Sequence, residues 1–144
     1  MDTRFSAAIH TLILISEAER PMTSEQLALS VGTNASYIRK LTGLLKKGGI
    51  IESRQGVGGF ALRGKPEDLT LFQIFEAVAG SEGVHVFDLH QNPSDACIVG
   101  RHIRPVLREV FREIEERAER ELRNQTLADC IGKMRTEIDR SEKG

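Results

Sequence analysis

The chain has 144 residues, 40% of them hydrophobic and 28% charged, with a formal net charge of −1 and two cysteines. That size and mixture fit one folded domain with or without an accessory element, and exclude a disordered or collagen-like chain. No stretch approaches the ~18 apolar residues of a membrane-spanning helix, and Met1-Asp2-Thr3-Arg4 lacks the basic start of a secretory leader, so a cytoplasmic setting without a disulfide framework is expected.

The first helical pattern is Phe5, Ala8, Ile9, Leu12 and Ile15, spaced by three and four and ending near Glu19-Arg20, before Pro21. Thr23-Ser24-Glu25-Gln26 has the form of a capping box, opening a short helix with Leu27, Ala28 and Val31 inward and Gly32 at its end. Thr33 or Asn34 caps a third helix that runs to about Lys47 with the stripe Ile38, Leu41, Leu44 and Leu45. Two short helices joined by a glycine turn make a helix-turn-helix candidate. Ile50–Ser53 and Phe60–Arg63 read as strands around a glycine-rich tip, a wing beside it.

Pro66-Glu67-Asp68-Leu69 marks a boundary, after which Thr70 caps a helix containing Leu71, Ile74, Phe75 and Val78. Residues 81–100 show no period and read as a loop. The longest helix is expected from about His102 to Arg123, with its start nearer Arg104 because Pro105 fits only a first turn. Its stripe is Ile103, Leu107, Val110, Ile114, Ala118 and Leu122, more than a small winged domain can cover, which points to self-association. Glu113–Arg117, Glu116–Arg120 and Glu119–Arg123 are helix-supporting pairs. Thr126 caps a last helix holding Leu127, Ile131, Met134 and Ile138, with Cys130 in its core-facing part.

The expectation is a mainly α fold with a small β-hairpin: residues 1–66 a winged helix-turn-helix for DNA, residues 67–144 a linker helix, a sensor loop and dimerisation helices. Charge divides the chain in the same place. Residues 1–66 hold nine Lys or Arg against five Asp or Glu, and residues 67–144 eleven against sixteen. A basic half facing a polyanion is the natural reading. On the third helix Asn34, Ser36 and Tyr37 occupy the first turn and Arg39, Lys40, Lys46 and Lys47 follow without an acid. Arg suits a guanine edge, Asn an adenine, and the terminal lysines either phosphate or the helix dipole. Arg54 and Gln55 stand at the wing tip with Gly58 and Gly59, where glycine permits close approach to a sugar–phosphate chain and Arg can enter a minor groove. Thr23 and Ser24, at a helix start, can hold a phosphate.

The order of Phe5-Ser6-Ala7-Ala8-Ile9, Ser36-Tyr37-Ile38-Arg39-Lys40-Leu41, Gly58-Gly59-Phe60-Ala61-Leu62, Leu71 to Val78, Cys97 and Thr126-Leu127-Ala128-Asp129 resembles the Rrf-two family of winged-helix transcription repressors. The resemblance implies a homodimer clasped through the long helix on a palindromic operator. It implies that Ser36, Arg39 and Lys40 read bases and that Arg54 enters a minor groove. Cluster-binding members have three closely spaced cysteines before the long helix. Here only Cys97 fills such a position, Gly100 stands where some have His, and Ala7 where others have Asp. The implied reading is therefore a chain without an iron–sulfur cluster or other metal, an unusual site from Cys97 with His85, His90 or His102 being the exception to test. Cys97 has two further readings, a thiol sensor with a lowered pKa or a buried packing residue. A protein-docking winged helix without specific DNA binding is the alternative function. An enzyme built on Cys97 and His102 lacks an orienting group and an oxyanion site.

Overall fold

The computed structural model describes residues 2–54, 56, 58–80 and 83–143. Its elements in chain order are α1 (Arg4–Glu17), α2 (Ser24–Val31), α3 (Ala35–Lys47), β1 (Ile51–Ser53), β2 (Phe60–Leu62), α4 (Leu71–Ala79), α5 (Ile98–Asn124) and α6 (Leu127–Lys143), with one 3-10 turn at Pro66–Asp68. The expected fold class is present: a helix-turn-helix, an antiparallel hairpin pairing Ile51 with Leu62 and Ser53 with Phe60, and a long helix behind them.

Local chemistry sets most boundaries. α1 ends at Glu17, short of the expected Glu19-Arg20, because Ala18 is already extended and the chain bends toward Pro21. Thr23 and Gln26 form the capping box, and Gly32, at φ 83, adopts the left-handed turn that ends α2. Asn34, not Thr33, caps α3, its Oδ1 accepting from the Tyr37 amide at 2.8 Å. Thr70 and Gln73 repeat the box at α4, and Thr126 and Asp129 do the same at α6.

The long helix departs most from expectation. It begins at Ile98, so Pro105 lies inside it, in the second turn. Proline removes one amide, the partner of the Arg101 carbonyl. Arg101 and Pro105 are both exposed, so water can take that carbonyl and the loss is tolerated. The first turn is held by the Arg101 amide on the Cys97 carbonyl and by His102 Nδ1, which donates to the Ile98 carbonyl at 2.8 Å. At 27 residues the helix is about 40 Å long. Arg123 pairs with Glu119 at 3.1 Å as expected, whereas Glu116 reaches back to Arg112 at 3.9 Å.

The halves distinguished by charge share one core. Ala8, Leu12, Leu27, Ile38, Leu41, Leu45 and Ile51 from the first pack with Leu71, Ile74, Val78, Leu127 and Ile131 from the second. A backbone bridge brings the second half in: the Leu71 amide donates to the Gln125 carbonyl and the Leu127 amide to the Leu69 carbonyl. Arg123 lies 3.9 Å from the Phe72 ring centroid, fixing the end of α5 on α4, and Arg135 grips Glu17 with two hydrogen bonds of 2.8 Å, tying α6 to α1. No helix among the described residues is long and apolar enough to cross a membrane.

Leu127 is fully buried between these parts. Leu127→Ala is expected to lower the unfolding free energy by about 2–5 kcal/mol. A urea titration should show one transition, moved to lower urea as a whole. Two transitions, with the winged part unmoved, would contradict the shared core.

Candidate nucleic-acid interface

The exposed surface of α3 is built by its buried one. Ile38, Leu41, Thr42 and Leu45 face the core, and Thr42 returns its hydroxyl to the Ile38 carbonyl at 2.9 Å. At 100° per residue, Ser36, Arg39, Lys40, Gly43 and Lys47 fall within an arc of about 100° on the opposite side. All five are exposed. The helix carries no acid, so this face is cationic along its length. Gly43 went unnoticed in the sequence pattern. A glycine inside a helix costs about 0.5–1 kcal/mol relative to alanine. Nothing lies within 4 Å of where its Cβ would be, so packing does not demand it, and it leaves a flat place between Arg39, Lys40 and Lys47. Its signal was a helix-interior glycine in register with the polar residues.

Two residues of this face are already engaged. Arg39 Nη1 lies 3.3 Å from Glu25 Oε1 of α2, an exposed pair that holds the guanidinium beside the first turn of its neighbour. Lys46, at the edge of the arc, donates to Ser53 Oγ at 3.2 Å and lies 5.9 Å from the Phe60 ring centroid, so it joins α3 to the wing. Asn34 spends its Oδ1 on the cap. A two-toothed contact with adenine needs both amide atoms, so only its NH2 group faces outward duty. Tyr37 is half-buried against the core. Thr23 accepts from the Gln26 amide, and Ser24 is half-buried at the first position of α2.

Arg54 is exposed one residue beyond Ser53, and its amide closes the hairpin on the Gly59 carbonyl at 3.1 Å. Gln55 lies outside the described residues. Gly58, at φ 68, has open space around it. Gly59 has a different reason to be glycine: at φ 90, a Cβ would meet the Met22 carbonyl oxygen at 2.7 Å and Pro21 Cβ at 2.8 Å. It lets the wing seat against the turn between α1 and α2.

The stripe on α5 is free over its N-terminal part. No residue of the helix is buried, and Val106, Val110 and Ile114 are 54%, 44% and 45% exposed. Ile103, Leu107 and Ala118 are half-covered, while Leu122 packs on its own core.

Cys97 is exposed, which removes the reading of it as a buried packing residue. It precedes α5 at the cap position; its side chain makes no cap hydrogen bond, yet the amides of Gly100 and Val99 face the thiol and hold it below the ordinary thiol range. Cys130 is half-buried and pushed the other way by burial.

A family model described as "Rrf2: Iron-dependent Transcriptional regulator" matches residues 1–133. YwnA of Bacillus subtilis, a candidate HTH-type transcriptional regulator, is 38% identical over 131 residues, 91% of this chain and 96% of YwnA. A crystal structure of a candidate DNA-binding protein superposes with a TM-score of 0.72 at 37% identity, covering 89% of this chain and 98% of that one. CymR, the global cysteine regulator of B. subtilis, has the same fold at 21% identity, with a TM-score of 0.69 and coverage of 92% and 95%. The iron in the family description raises the question of a cluster. The residues here do not fit one: Cys97 is the single thiol between α4 and α5, and a side chain at Gly100 would collide with the Ser94 carbonyl oxygen. Among the described residues no three His, Cys, Asp or Glu side chains are grouped to hold a metal.

The opposite pKa directions order the two thiols. A lowered pKa leaves more thiolate at neutral pH, and a raised one leaves less. Iodoacetamide at neutral pH should alkylate Cys97 first, with its rate midpoint at lower pH than that of Cys130, as read by mass spectrometry of tryptic peptides. Equal rates in the folded protein would count against this placement.

Proposed function

The chain belongs to the Rrf2 family of transcriptional regulators, and from that premise we propose that it is a sequence-specific repressor that binds an inverted-repeat operator as a homodimer. The observation that carries the proposal is the acid-free exposed face of α3, with Ser36, Arg39, Lys40, Gly43 and Lys47 on one side and a glycine-tipped wing bearing Arg54 beside it. In this reading α3 lies in a major groove. Arg39 and Lys40 meet base edges, Ser36 bonds to a base or phosphate, Lys47 neutralises phosphate, and Arg54 reaches the adjacent minor groove. Glu25 sets where the Arg39 guanidinium waits before DNA arrives. The pair is exposed and worth at most about 1 kcal/mol, so a guanine edge can replace it.

The free stripe of α5 supports the dimer. Ile103, Val106, Leu107, Val110 and Ile114 form an apolar line on a helix with no fully buried residue, and a second copy would cover it. Two-fold symmetry then presents two α3 helices to half-sites about 34 Å apart, or a multiple of that. Cys97 is the proposed thiol switch. Its thiolate would take one oxygen atom from a peroxide, giving a sulfenate while the peroxide leaves as an alcohol or water.

The test is selection of bound fragments from genomic DNA by reduced and by peroxide-treated protein. An inverted repeat should emerge from the reduced form, and its enrichment should fall after oxidation and be restored in Cys97→Ser. Recovery of DNA without sequence preference would favour a protein-docking module instead. On the selected operator, Arg39→Ala should cost about 1–3 kcal/mol and relax the choice of one base, whereas Lys47→Ala should weaken all sequences alike and reduce the salt slope by about one. Val110→Glu, which places a charge in the free stripe, should yield single chains on analytical ultracentrifugation; a dimer unchanged in this variant would move the interface elsewhere.

A further inference from the structure

A cleft of about 700 Å³ lies between the segment after α4 and the side of α5, and the DNA-binding reading makes no use of it. It is lined by His85, Phe87, Leu89, Arg104, Arg108 and Phe111, among others. Its upper end is fixed. Glu115, whose side chain is 15% exposed, accepts hydrogen bonds from the Val86 and Phe87 amides, and the Phe87 and Phe111 rings stand 5.1 Å apart. The acids of the lining, Asp88 and Glu115, both lie against His85, at 2.7 and 3.5 Å. The lower end is different. Arg104 and Arg108 stand one helical turn apart on the same side of α5, and among the described residues neither has an ion-pair partner. Arg104 is half-buried all the same.

We propose that this cleft binds a small organic anion, a carboxylate or phosphate ester carried on a flat apolar body. The anionic end would sit on Arg104 and Arg108, whose guanidinium groups suit planar oxyanions with two hydrogen bonds each. The flat body would lie along Phe87 and Phe111. The lining is mixed in this proportion: one aromatic wall, two arginines without an ion-pair partner among the described residues, and two acids that lie against His85. Dimerisation does not compete for the cleft. At 100° per residue, Arg104, Arg108, Phe111 and Glu115 centre about 100° around α5 from the stripe of Ile103, Leu107, Val110 and Ile114. A ligand here touches both the segment leaving α4 and the helix proposed to join the subunits. That regulatory consequence rests on the proposed function; the binding itself does not.

The experiment is a titration of the full chain, without DNA, using phenyl phosphate, inorganic phosphate and benzyl alcohol, followed by two-dimensional NMR of the amides. Phenyl phosphate should bind, with shifts concentrated at residues 85–91 and 104–111, and both half-probes should bind at least about tenfold more weakly, since each keeps only one set of contacts. Arg108→Gln should lose about tenfold in affinity, as expected for one charge-assisted contact, while Arg101→Gln, outside the lining, should not. If Arg108→Gln does not fold by circular dichroism, Arg104→Gln takes its place. Inorganic phosphate binding as well as phenyl phosphate, shifts scattered over the basic surface of α3, or no binding at millimolar probe would each overturn the proposal. None of these outcomes depends on operator binding.

Discussion

The structure depends on a reciprocal pair of backbone hydrogen bonds between two helix starts. Every α-helix begins with amides that have no partner within the helix. Leu71 and Leu127 are the first residues of α4 and α6, and each gives its amide to the residue two positions before the start of the other, at 2.9 and 2.8 Å. Between those donors stand Thr70 and Thr126, each capping its own helix with its hydroxyl. The unsatisfied ends of two helices thus complete one another. The return stroke of the chain is locked there: α5 must finish beside α4, with Arg123 over Phe72, and α6 must begin inside the winged core. Everything N-terminal on α5 then projects from that anchor, which is why no residue of a 27-residue helix is fully buried.

The same anchor separates three surfaces on a small molecule. The face of α3 is aimed outward because four of its residues are consumed by the core. The wing is held to it by Lys46 on Ser53, and to the turn before α2 by the close approach at Gly59. The apolar stripe and the arginine-lined cleft share α5 but lie on different sides of it. Charge keeps these three proposed uses apart. The excess of acids in the second half lies mostly on α5 and α6 and in the loop, where it pairs with neighbouring arginines, and leaves α3 without an acid of its own. Glu25 is the exception, and it stands against the side chain proposed to read a base. A carboxylate there weakens attraction to any duplex, and a specific contact must displace it. An arrangement of that kind trades affinity for all sequences against discrimination among them.

What the sequence disclosed was local. Thr23 with Gln26, Thr70 and the glycine at 32 state their roles within three or four residues, and the structure has them in those roles; of Thr33 and Asn34, the structure uses Asn34. The stripe of α3 is equally local, since burial on one side fixes exposure on the other. What it did not disclose depends on distant backbone. A proline that fits only a first turn predicts a later start for α5 than the structure has, because the exposed turn lets water take the carbonyl that Pro105 leaves free. The packing demand for glycine at 59 is invisible locally, because its collision partner, the Met22 carbonyl, is 37 positions away in sequence. The pairing of Arg39 with Glu25 is invisible along the chain because the two stand on different helices. The bridge joining α4 to α6 leaves no side-chain pattern at all beyond two threonines whose capping explains them fully.

The cleft illustrates the same limit from the functional side. Arg104, Arg108 and Arg112 recur every four residues and read in sequence as the solvated side of an amphipathic helix. They acquire a ligand-sized neighbourhood because Glu115 draws the segment from Val86 to Phe87 down onto α5, and Phe87 meets Phe111 there. Glu115 accepts two amides and lies against His85, and it forms no ion pair with Arg104 or Arg108 on the same helix. The charge imbalance of the cleft is therefore a consequence of how the loop is pinned. It also ties occupancy to geometry: an anion drawn to Arg104 and Arg108 would be held by the same helix that the segment after α4 is fastened to, so ligand and loop would bias the position of α5 together.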